Sequence, residues 1–140
     1  MNLSGSIKIT KVADHSSAAT SAVNSTYVDM AGYEGVIFMT SFGTANADNT
    51  INAAQCDTSG GIYADLEDTS VTSGTSDEDV WIDVYRPSDR YVRCEAVRTE
   101  SSTLESIWAI QYGARKKAVD NTTSGTITGE THISPDQGDA

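Results

Sequence analysis

Two runs of this chain, residues 79–85 and 90–96, alternate apolar with polar or aromatic side chains, and a third apolar run follows at 107–112. Successive side chains of a strand point to opposite faces, so a period of two is typical of a strand that buries one face. Pro87 lies in the turn 86–89 between the first two runs, where its fixed φ suits the second position of a type I turn. The pattern predicts two antiparallel strands joined by a tight turn, and a third strand, all at the centre of the core.

The most apolar run of the chain, residues 35–42, alternates little, which is typical of a strand covered on both faces. We therefore expect it to be central in a sandwich or to lie at a subunit contact. Residues 6–12 alternate with lysines facing outward, which favours a strand at a sheet edge. The other segments are interpreted as short strands at 27–30, 50–55 and 62–67, a loop or loose strand at 14–25, and a long exposed loop at 68–78.

Short strands separated by turns, with no convincing helix, predict an all-β fold: an antiparallel β-sandwich or jelly-roll-like single domain. We place this domain at residues 1–117, with extended arms at the N- and C-termini. Residues 118–140 carry only Val119, Ile127 and Ile133 as sizeable apolar groups, too few to offset the entropy of ordering the segment alone. We therefore expect an extended polar C-terminal arm that is disordered or becomes ordered on a neighbouring subunit.

The net charge of −11 is unevenly distributed along the chain. Residues 86–117 hold seven basic and four acidic residues, a balance of +3, whereas residues 1–85 sum to −10 and residues 118–140 to −4. A predominantly acidic surface repels phosphate, so we expect no nucleic-acid partner. No run is apolar and long enough to span a membrane, so we expect no membrane partner either.

The basic residues of 86–117 have two interpretations, which the sequence leaves open. In the first, Arg90 and Arg93 pair with Asp83 or Glu95 across neighbouring strands, which contributes little to stability. In the second, they form a docking face for an acidic protein surface, since a guanidinium orients a carboxylate through two parallel hydrogen bonds. The candidate partner interface, including residues of the C-terminal segment, is Arg86, Arg90, Arg93, Arg115, Lys116, Lys117, Ile127, His132 and Ile133.

Side chains suited to catalysis or metal binding are few. His15 lies in the early polar segment and His132 in the C-terminal segment, neither of which is suited to rigid catalytic geometry. The chain has no glycine-rich phosphate loop and no metal-ligand spacing, and the acidic residues 77–79 lack the pattern of a calcium loop. We therefore expect a protein that is not an enzyme and that uses no catalytic residues, no cofactor and no metal. Cys56 and Cys94 are expected to be reduced.

Five stretches carry a resemblance to a known family: WIDVYRPSDRYVR from Trp81, IWAIQYGAR from Ile107, GETHISP from Gly129, VDMAGYEGVIF from Val28 and SVTSGTSDEDVW from Ser70. Together they resemble small structural proteins of tailed bacteriophages that are encoded close to the major capsid protein. The resemblance implies a virion protein, a decoration or cement protein that binds and stabilises the head lattice. It implies the major capsid protein as partner, homo-oligomerisation as a dimer or trimer, and a location on the capsid surface after assembly in the host cytoplasm. A head–tail or tail subunit is the alternative.

A shorter stretch, Arg90-Tyr-Val-Arg, is similar to a strand motif of galactose-binding-like sandwiches, which bind glycans through their loops. It implies a carbohydrate- or host-surface-binding module that uses exposed Trp and Tyr side chains, as an alternative function. Large aromatic side chains are more often buried than displayed. We therefore expect Trp81 and Trp108 to lie in the core or to be half-buried.

Overall fold

The computed structural model describes residues 2–134 and 137, which contain β-strands and no helix. The strand pairings are antiparallel, and they form two larger sheets and one short two-stranded sheet. The predicted all-β antiparallel sandwich is therefore confirmed. No helix long and apolar enough to cross a membrane occurs in the described part of the chain. The strands are β1 (Lys8–Ala13), β2 (Ser16–Ala19), β3 (Val23–Asn24), β4 (Val28–Asp29), β5 (Gly35–Ser41), β6 (Thr50–Cys56), β7 (Ala64–Asp65), β8 (Val71–Thr72), β9 (Asp79–Tyr85), β10 (Tyr91–Val97), β11 (Ser102–Leu104) and β12 (Ile107–Tyr112).

The first sheet has the strand order β1-β12-β5-β9. β1 lies at one edge, as its outward lysines predict, and β5 lies between β12 and β9, which confirms its predicted central position. The two faces of β5 differ. Val36 and Phe38 are fully buried, whereas Ile37 and Met39 on the opposite face are half-buried. The expected cover on both faces is therefore complete on one face only.

The second sheet is built on β10 and β6, which pair over seven residues. β3 and β4 pair with β10, and β7 and β8 pair with β6. The ladder places Cys56 opposite Tyr91 and Cys94 opposite Ala53, so the two cysteines lie on opposite faces of the sheet because side chains alternate. Both are free thiols, as predicted. Burial raises the pKa of Cys94 to about 12, so it is a protonated core thiol.

β9 and β10 are consecutive in the chain but lie in different sheets. β9 pairs with β5 and β10 pairs with β6, so the antiparallel hairpin predicted for these two runs is wrong. Alternation shows that a strand buries one face, but it does not identify the partner, and strands of two facing sheets alternate in the same way. The segment 86–89 therefore crosses from one sheet to the other, beginning at Arg86, which has a φ of 52°.

The core lies between the inner faces of the two sheets, and β9, β10 and β12 all contribute to it. Phe42 follows β5 and forms an isolated bridge with Leu104 of β11, so the end of β5 attaches the short β2–β11 sheet to the core. Burying a side chain of this size stabilises the fold by about 1.5–3 kcal/mol. The largest fully buried apolar side chains are Phe38, Phe42, Ile51, Leu104 and Ile107.

The guanidinium of Arg98 is buried, with 2% of the residue exposed, and has no carboxylate partner among the described residues. It donates to the main-chain oxygens of Ser17, Ser21 and Ser102 at 2.8–3.0 Å. It also contacts the hydroxyls of Ser16 and Ser21 at 3.2 and 3.4 Å. All five N–H donors of the side chain are therefore used. Because these partners lie in β2, in the turn after β2 and in β11, Arg98 fixes the short sheet to the end of β10.

Asn49 is a second fully buried polar residue. Its amide nitrogen donates to the oxygens of Thr44 and Glu100 at 3.2 Å, and its amide oxygen accepts from the N–H groups of Thr99 and Glu100 at 2.9 and 3.1 Å. All the hydrogen-bonding capacity of the amide is used. Asn49 therefore ties the turn before β6 to the connection after β10.

Segments interpreted as loops contain short strands. Residues 68–78 include β8, whose Val71 packs against the core, and Ser73 is 2% exposed, so the long exposed loop predicted there is interrupted by a short strand and by a buried residue. Residues 14–25 contain β2 and β3, which corresponds to the loose-strand alternative. A single apolar residue in a polar run is a weak sequence signal, yet here it is enough to anchor a two-residue strand against β6.

The C-terminal segment differs from the extended arm predicted from its composition. The N–H of Val119 donates to the oxygen of Gly5 at 3.1 Å, and the side chain of Asn121 accepts from the N–H of Ile9 at 2.8 Å. Asn121 also donates to the oxygens of Ser4 and Ile7 at 2.7 and 3.0 Å. Residues 118–121 therefore fold back along β1 and the N-terminal segment. Hydrogen bonds hold them there, and the number of apolar residues in a segment does not predict such bonds.

The chain continues past this contact into a tight turn in which Thr123 and Ile127 form a bridge. The hydroxyls of Ser4 and Thr131 lie 2.7 Å apart, so both terminal segments stay close to each other as far as residue 131. The part of the predicted arm at residues 135, 136 and 138–140 lies outside the described residues. The division of the chain at residue 117 stays a prediction.

Candidate interaction surfaces

The connection between the two sheets forms an open cleft of about 490 Å³, which we call the arginine cleft. It brings together Arg86, Arg90 and Arg115, three of the predicted interface residues. Glu34 and Asp89 also line it, so its walls carry three guanidiniums against two carboxylates in a chain whose net charge is −11. The cleft is therefore a place where arginine side chains concentrate on an acidic protein.

Main-chain hydrogen bonds join the three segments that line the cleft. The N–H of Met30 donates to the oxygen of Arg90 at 2.8 Å, and the N–H of Arg86 donates to the oxygen of Glu34 at 2.7 Å. The N–H of Arg115 donates to the oxygen of Gly32 at 2.9 Å. Because these hydrogen bonds fix the distances between the three segments, the main-chain positions of the three arginines are fixed relative to one another.

Arg90 is the structural member of this set. Its Nε and Nη2 donate to the two carboxylate oxygens of Asp29 at 2.9 and 2.8 Å, and Asp29 also accepts from the N–H of Ala31 at 2.9 Å. The hydrogen bonds from Arg90 hold the pKa of Asp29 below its ordinary value, and the same contact raises the pKa of Arg90. The carboxylate of Asp29 therefore neutralises Arg90.

Arg86 and Arg115 are the two arginines available to a partner. The guanidinium of Arg86 lies 5.0 Å from the ring centroid of Tyr85, a cation–π distance. Both side chains are exposed and neither forms an ion pair with a described residue. A non-glycine residue with positive φ is uncommon, so Arg86 occupies a position where glycine or asparagine would be less strained.

Arg93 lies elsewhere, on the outer face of the second sheet. It forms an ion pair with Glu95 of its own strand and lies 4.5 Å from the ring of Tyr63. Tyr63 in turn stacks on Tyr27, whose ring meets Tyr91 edge-on. Arg93 is therefore engaged by its neighbours in the monomer.

The pairing predicted for these arginines is thus partly wrong. Arg93 does contact Glu95, but along one strand rather than across two. Arg90 pairs with Asp29 of β4, and Asp83 instead accepts a hydrogen bond from a tyrosine described below. The partners differ because β9, which carries Asp83, lies in the opposite sheet from β10.

The remaining predicted interface residues lie in the segment after β12. Lys116 follows Arg115 in the sequence and is exposed, as is Lys117. Ile127 is half-buried in the turn that packs near the N-terminal segment. His132 Nε2 lies 3.6 Å from Glu130 Oε2, and Ile133 is 96% exposed. The structure therefore places the nine predicted residues in three separate locations.

The outer face of the first sheet carries a second surface, which we call the aromatic face. Trp81 is 59% exposed and Tyr85 57% exposed, both on β9, so the expectation of a buried or half-buried Trp81 is wrong. Trp108 on β12 is half-buried, as expected. Across the sheet the residues form rows: Trp108, Met39 and Trp81; Ile110, Ile37 and Asp83; Tyr112, Gly35 and Tyr85.

Gly35 allows one aromatic side chain to cross this face. A Cβ at position 35 would overlap the ring of Tyr112, so the missing side chain lets the ring lie over β5. The Tyr112 hydroxyl then reaches Asp83 of β9 and donates to its Oδ1 at 2.6 Å. Partial burial and this contact raise the pKa of Tyr112 to about 12. The ring therefore spans three strands and stiffens the aromatic face.

The other polar groups singled out from the sequence have structural contacts. Glu78 Oε2 accepts from the N–H groups of Gly74 and Thr75 at 2.6 and 3.2 Å, which closes the turn before β9. His15 Nδ1 lies 3.4 Å from Glu105 Oε1. No group of three or more His, Cys, Asp or Glu residues suited to a metal ion occurs in residues 2–134.

The sequence interpretation did not identify the aromatic face, although the signal was present. The alternation that buries Val80, Ile82 and Val84 necessarily directs Trp81 and Tyr85 to the other face of β9. The general tendency of tryptophan to be buried does not apply to Trp81, because the strand period fixes the face on which it lies. The positive φ of Arg86 and the full burial of Arg98 depend on tertiary structure and have no local sequence signal.

The crystal structure of PBSX exported protein XepA has a similar fold, with a TM-score of 0.55 and 18% sequence identity. The match covers 94% of this chain and 45% of that chain, so this chain spans less than half the length of XepA. At this identity the likeness concerns the fold alone. No family model and no curated protein matches the chain.

Proposed function

We propose that this chain is a non-enzymatic structural protein of a bacteriophage virion, a decoration protein that binds the head lattice and stabilises it. The arginine cleft is the observation that carries the proposal. The resemblance of five stretches to small structural phage proteins supports it. The similar fold of XepA, a phage-related protein, is compatible with it.

The cleft suits a carboxylate-bearing protein surface. Arg86 and Arg115 present exposed guanidiniums from walls that main-chain hydrogen bonds hold in place. A guanidinium binds a carboxylate through two parallel hydrogen bonds, and fixed walls reduce the entropy lost on binding. The acidic remainder of the protein repels an extended polyanion such as a nucleic acid, whereas the cleft can accept a single carboxylate of a partner.

The partner in this proposal is the major capsid protein, and the location is the capsid surface. A symmetric lattice repeats the same acidic site many times, so a contact of modest affinity at each site adds up over the particle. Each bound copy increases the free energy needed to separate neighbouring capsid subunits. The protein then acts by binding alone.

The test uses particles produced from the phage genome after deletion of this coding sequence. Purified native protein should co-sediment with the particles and raise the temperature at which they release DNA. The Arg115→Glu variant should bind at least about tenfold more weakly, a loss of about 1.4 kcal/mol per site. Lys11→Glu is the matched control, because it makes the same charge change at a residue that pairs with Asp14, away from the cleft.

Four outcomes contradict the proposal. Particles with and without the protein could lose DNA at the same temperature. The control and the cleft variant could bind equally well. Microscopy of labelled protein could show it on the tail or at the head–tail junction, which favours the alternative structural role. Hits on a glycan array, together with no binding to particles, favour the carbohydrate-binding alternative.

A further inference from the structure

β9 forms the edge of the first sheet opposite β1. Its seven residues pair with β5 in an unbroken register, from Asp79 with Ser41 to Tyr85 with Gly35. No other described strand pairs with β9. A strand in this position presents a row of main-chain N–H and C=O groups that can pair with another strand.

The opposite edge of the same sheet is protected. Asn121 occupies the N–H of Ile9 on β1, and the ladder of β1 is broken by an irregularity between Lys11 and Ala13. β1 also carries Lys8 and Lys11, and lysine is a common residue on edges that do not pair. β9 contains no lysine, no proline and no irregularity. The edge formed by β9 can therefore pair with a further strand, whereas the edge formed by β1 is protected from such pairing.

The buried face of β9 is symmetric around Ile82, whereas its exposed face is not. Val80 and Val84 lie two residues on either side on the buried face, and Trp81 and Asp83 flank it on the exposed face. We propose that β9 pairs antiparallel with β9 of a second copy of this chain, with the two Ile82 residues opposite each other. The first sheets of the two copies then form one continuous eight-stranded sheet.

Charge selects this register over its neighbours. Side chains must keep their faces, so the alternatives are shifts that centre the pairing on residue 81 or on residue 83. Centring on residue 81 places Asp79 opposite Asp83 of the second copy, and centring on residue 83 places the two Asp83 residues opposite each other. Like charges directly opposite are destabilising. Both shifts also shorten the ladder from seven residues to five.

The register centred on Ile82 places no like charges directly opposite each other. Val80 faces Val84 of the second copy on the core side, which extends the packed interior. One step beyond the ladder, Glu78 faces Arg86 of the second copy, so opposite charges meet at both ends. Arg86 begins the sheet-to-sheet connection, and its guanidinium lies 5.0 Å from the ring of Tyr85 at this end of β9.

The aromatic side chains of β9 gain cover in the same arrangement. Trp81 is opposite Asp83 of the second copy and diagonal to its Trp81 and Tyr85, a spacing that aromatic rings can bridge. Both aromatic residues are more than half exposed in the monomer. The rings of Trp81 and Tyr85 from the two copies then share one face of the paired strands, and aromatic side chains are enriched at protein–protein interfaces.

The inference does not depend on the proposed function, and its test uses the full chain in solution at about 0.15 M salt. Analytical ultracentrifugation over a concentration series should show a reversible dimer. Trp81→Lys should weaken the dimer at least tenfold, because lysine on an edge strand opposes pairing. Trp108→Lys is the matched control: it makes the same change on the same face, on a strand inside the sheet.

A second variant keeps the test decisive if Trp81→Lys fails to fold. The double substitution Trp81→Cys with Asp83→Cys places the thiol at position 81 of one copy opposite the thiol at position 83 of the second copy. Mild oxidation should convert it into a covalent dimer, whereas the pair Trp108→Cys with Ile110→Cys should stay monomeric. A native chain that sediments as a monomer at every concentration overturns the inference. So does equal weakening by the two lysine variants, or equal cross-linking of the two cysteine pairs.

Discussion

Replacing Arg98 with methionine tests whether a buried guanidinium without an acidic partner holds one end of this sandwich together. The substitution keeps an unbranched apolar stem of similar reach and removes all five donors. It leaves the main-chain oxygens of Ser17, Ser21 and Ser102 without their present partners. A buried acceptor without a partner costs about 1–3 kcal/mol.

If all three acceptors stayed without partners, the loss of unfolding free energy would be well above that of an ordinary substitution. Because β2 is partly exposed, water can reach some of these acceptors and reduce the loss. We therefore expect Arg98→Met to lower the free energy of unfolding by about 4 kcal/mol, a large part of the 5–15 kcal/mol typical of a domain. For a chain of 140 residues this corresponds to a fall in Tm of roughly 10 °C.

Equilibrium urea unfolding, followed by tryptophan fluorescence, measures this loss. Arg93→Met is the control: it removes an arginine with an ion pair and a ring contact at the surface, and it should cost less than about 1 kcal/mol. Hydrogen exchange should also accelerate at the amides of Ala19 and Ser102, which pair in the short sheet. An Arg98→Met variant as stable as the control, with unchanged exchange in β2 and β11, would refute the reasoning.

Other predictions follow from single contacts. Asn49→Asp removes two donors and buries a carboxylate, so urea unfolding should show a loss of about 3 kcal/mol at pH 7 that shrinks in acid, where the carboxyl is protonated; an equal loss at both pH values would contradict this. The pKa of Tyr112 is raised from 10.0 to about 12, so its stabilisation is complete below pH 10 and is lost as the pH rises toward 12; Tyr112→Phe should show a flatter decline in unfolding free energy over that range. Asn121→Ala removes the contacts of the C-terminal segment with β1, so limited proteolysis should cut residues 118–131 at least tenfold faster than in the native chain, and an unchanged rate would show that other contacts hold the segment.

Alternation in the sequence was sufficient to predict which residues of β9 and β10 face the core, because side-chain direction in a strand is a local property. It was not sufficient to predict their partners. Consecutive strands often form hairpins, but the connection at 86–89 leads from one sheet to the other. That choice depends on how both sheets pack, and it changed the expected partners of Arg90.

The predicted interface shows the same division. Positive charge concentrated in residues 86–117 identified Arg86, Arg90 and Arg115, and the structure brings these three into one cleft. Charge counting did not distinguish the arginine neutralised by Asp29 from the two that are free to bind a partner. The C-terminal segment was predicted to extend because it has few apolar residues. The side-chain amide of Asn121 instead attaches it to the edge strand β1, a contact that composition cannot predict.

The pairing of β1 with β12 also has a consequence for how the protein forms during synthesis. β12 is an inner strand of its sheet and lies between the first strand of the fold and β5. A nascent chain that has emerged from the ribosome only as far as β11 therefore lacks the strand that joins β1 to the rest of its sheet. Such long-range pairing is slow to form. β1 must consequently wait without a partner, and β5 must expose one of its edges, until β12 is translated.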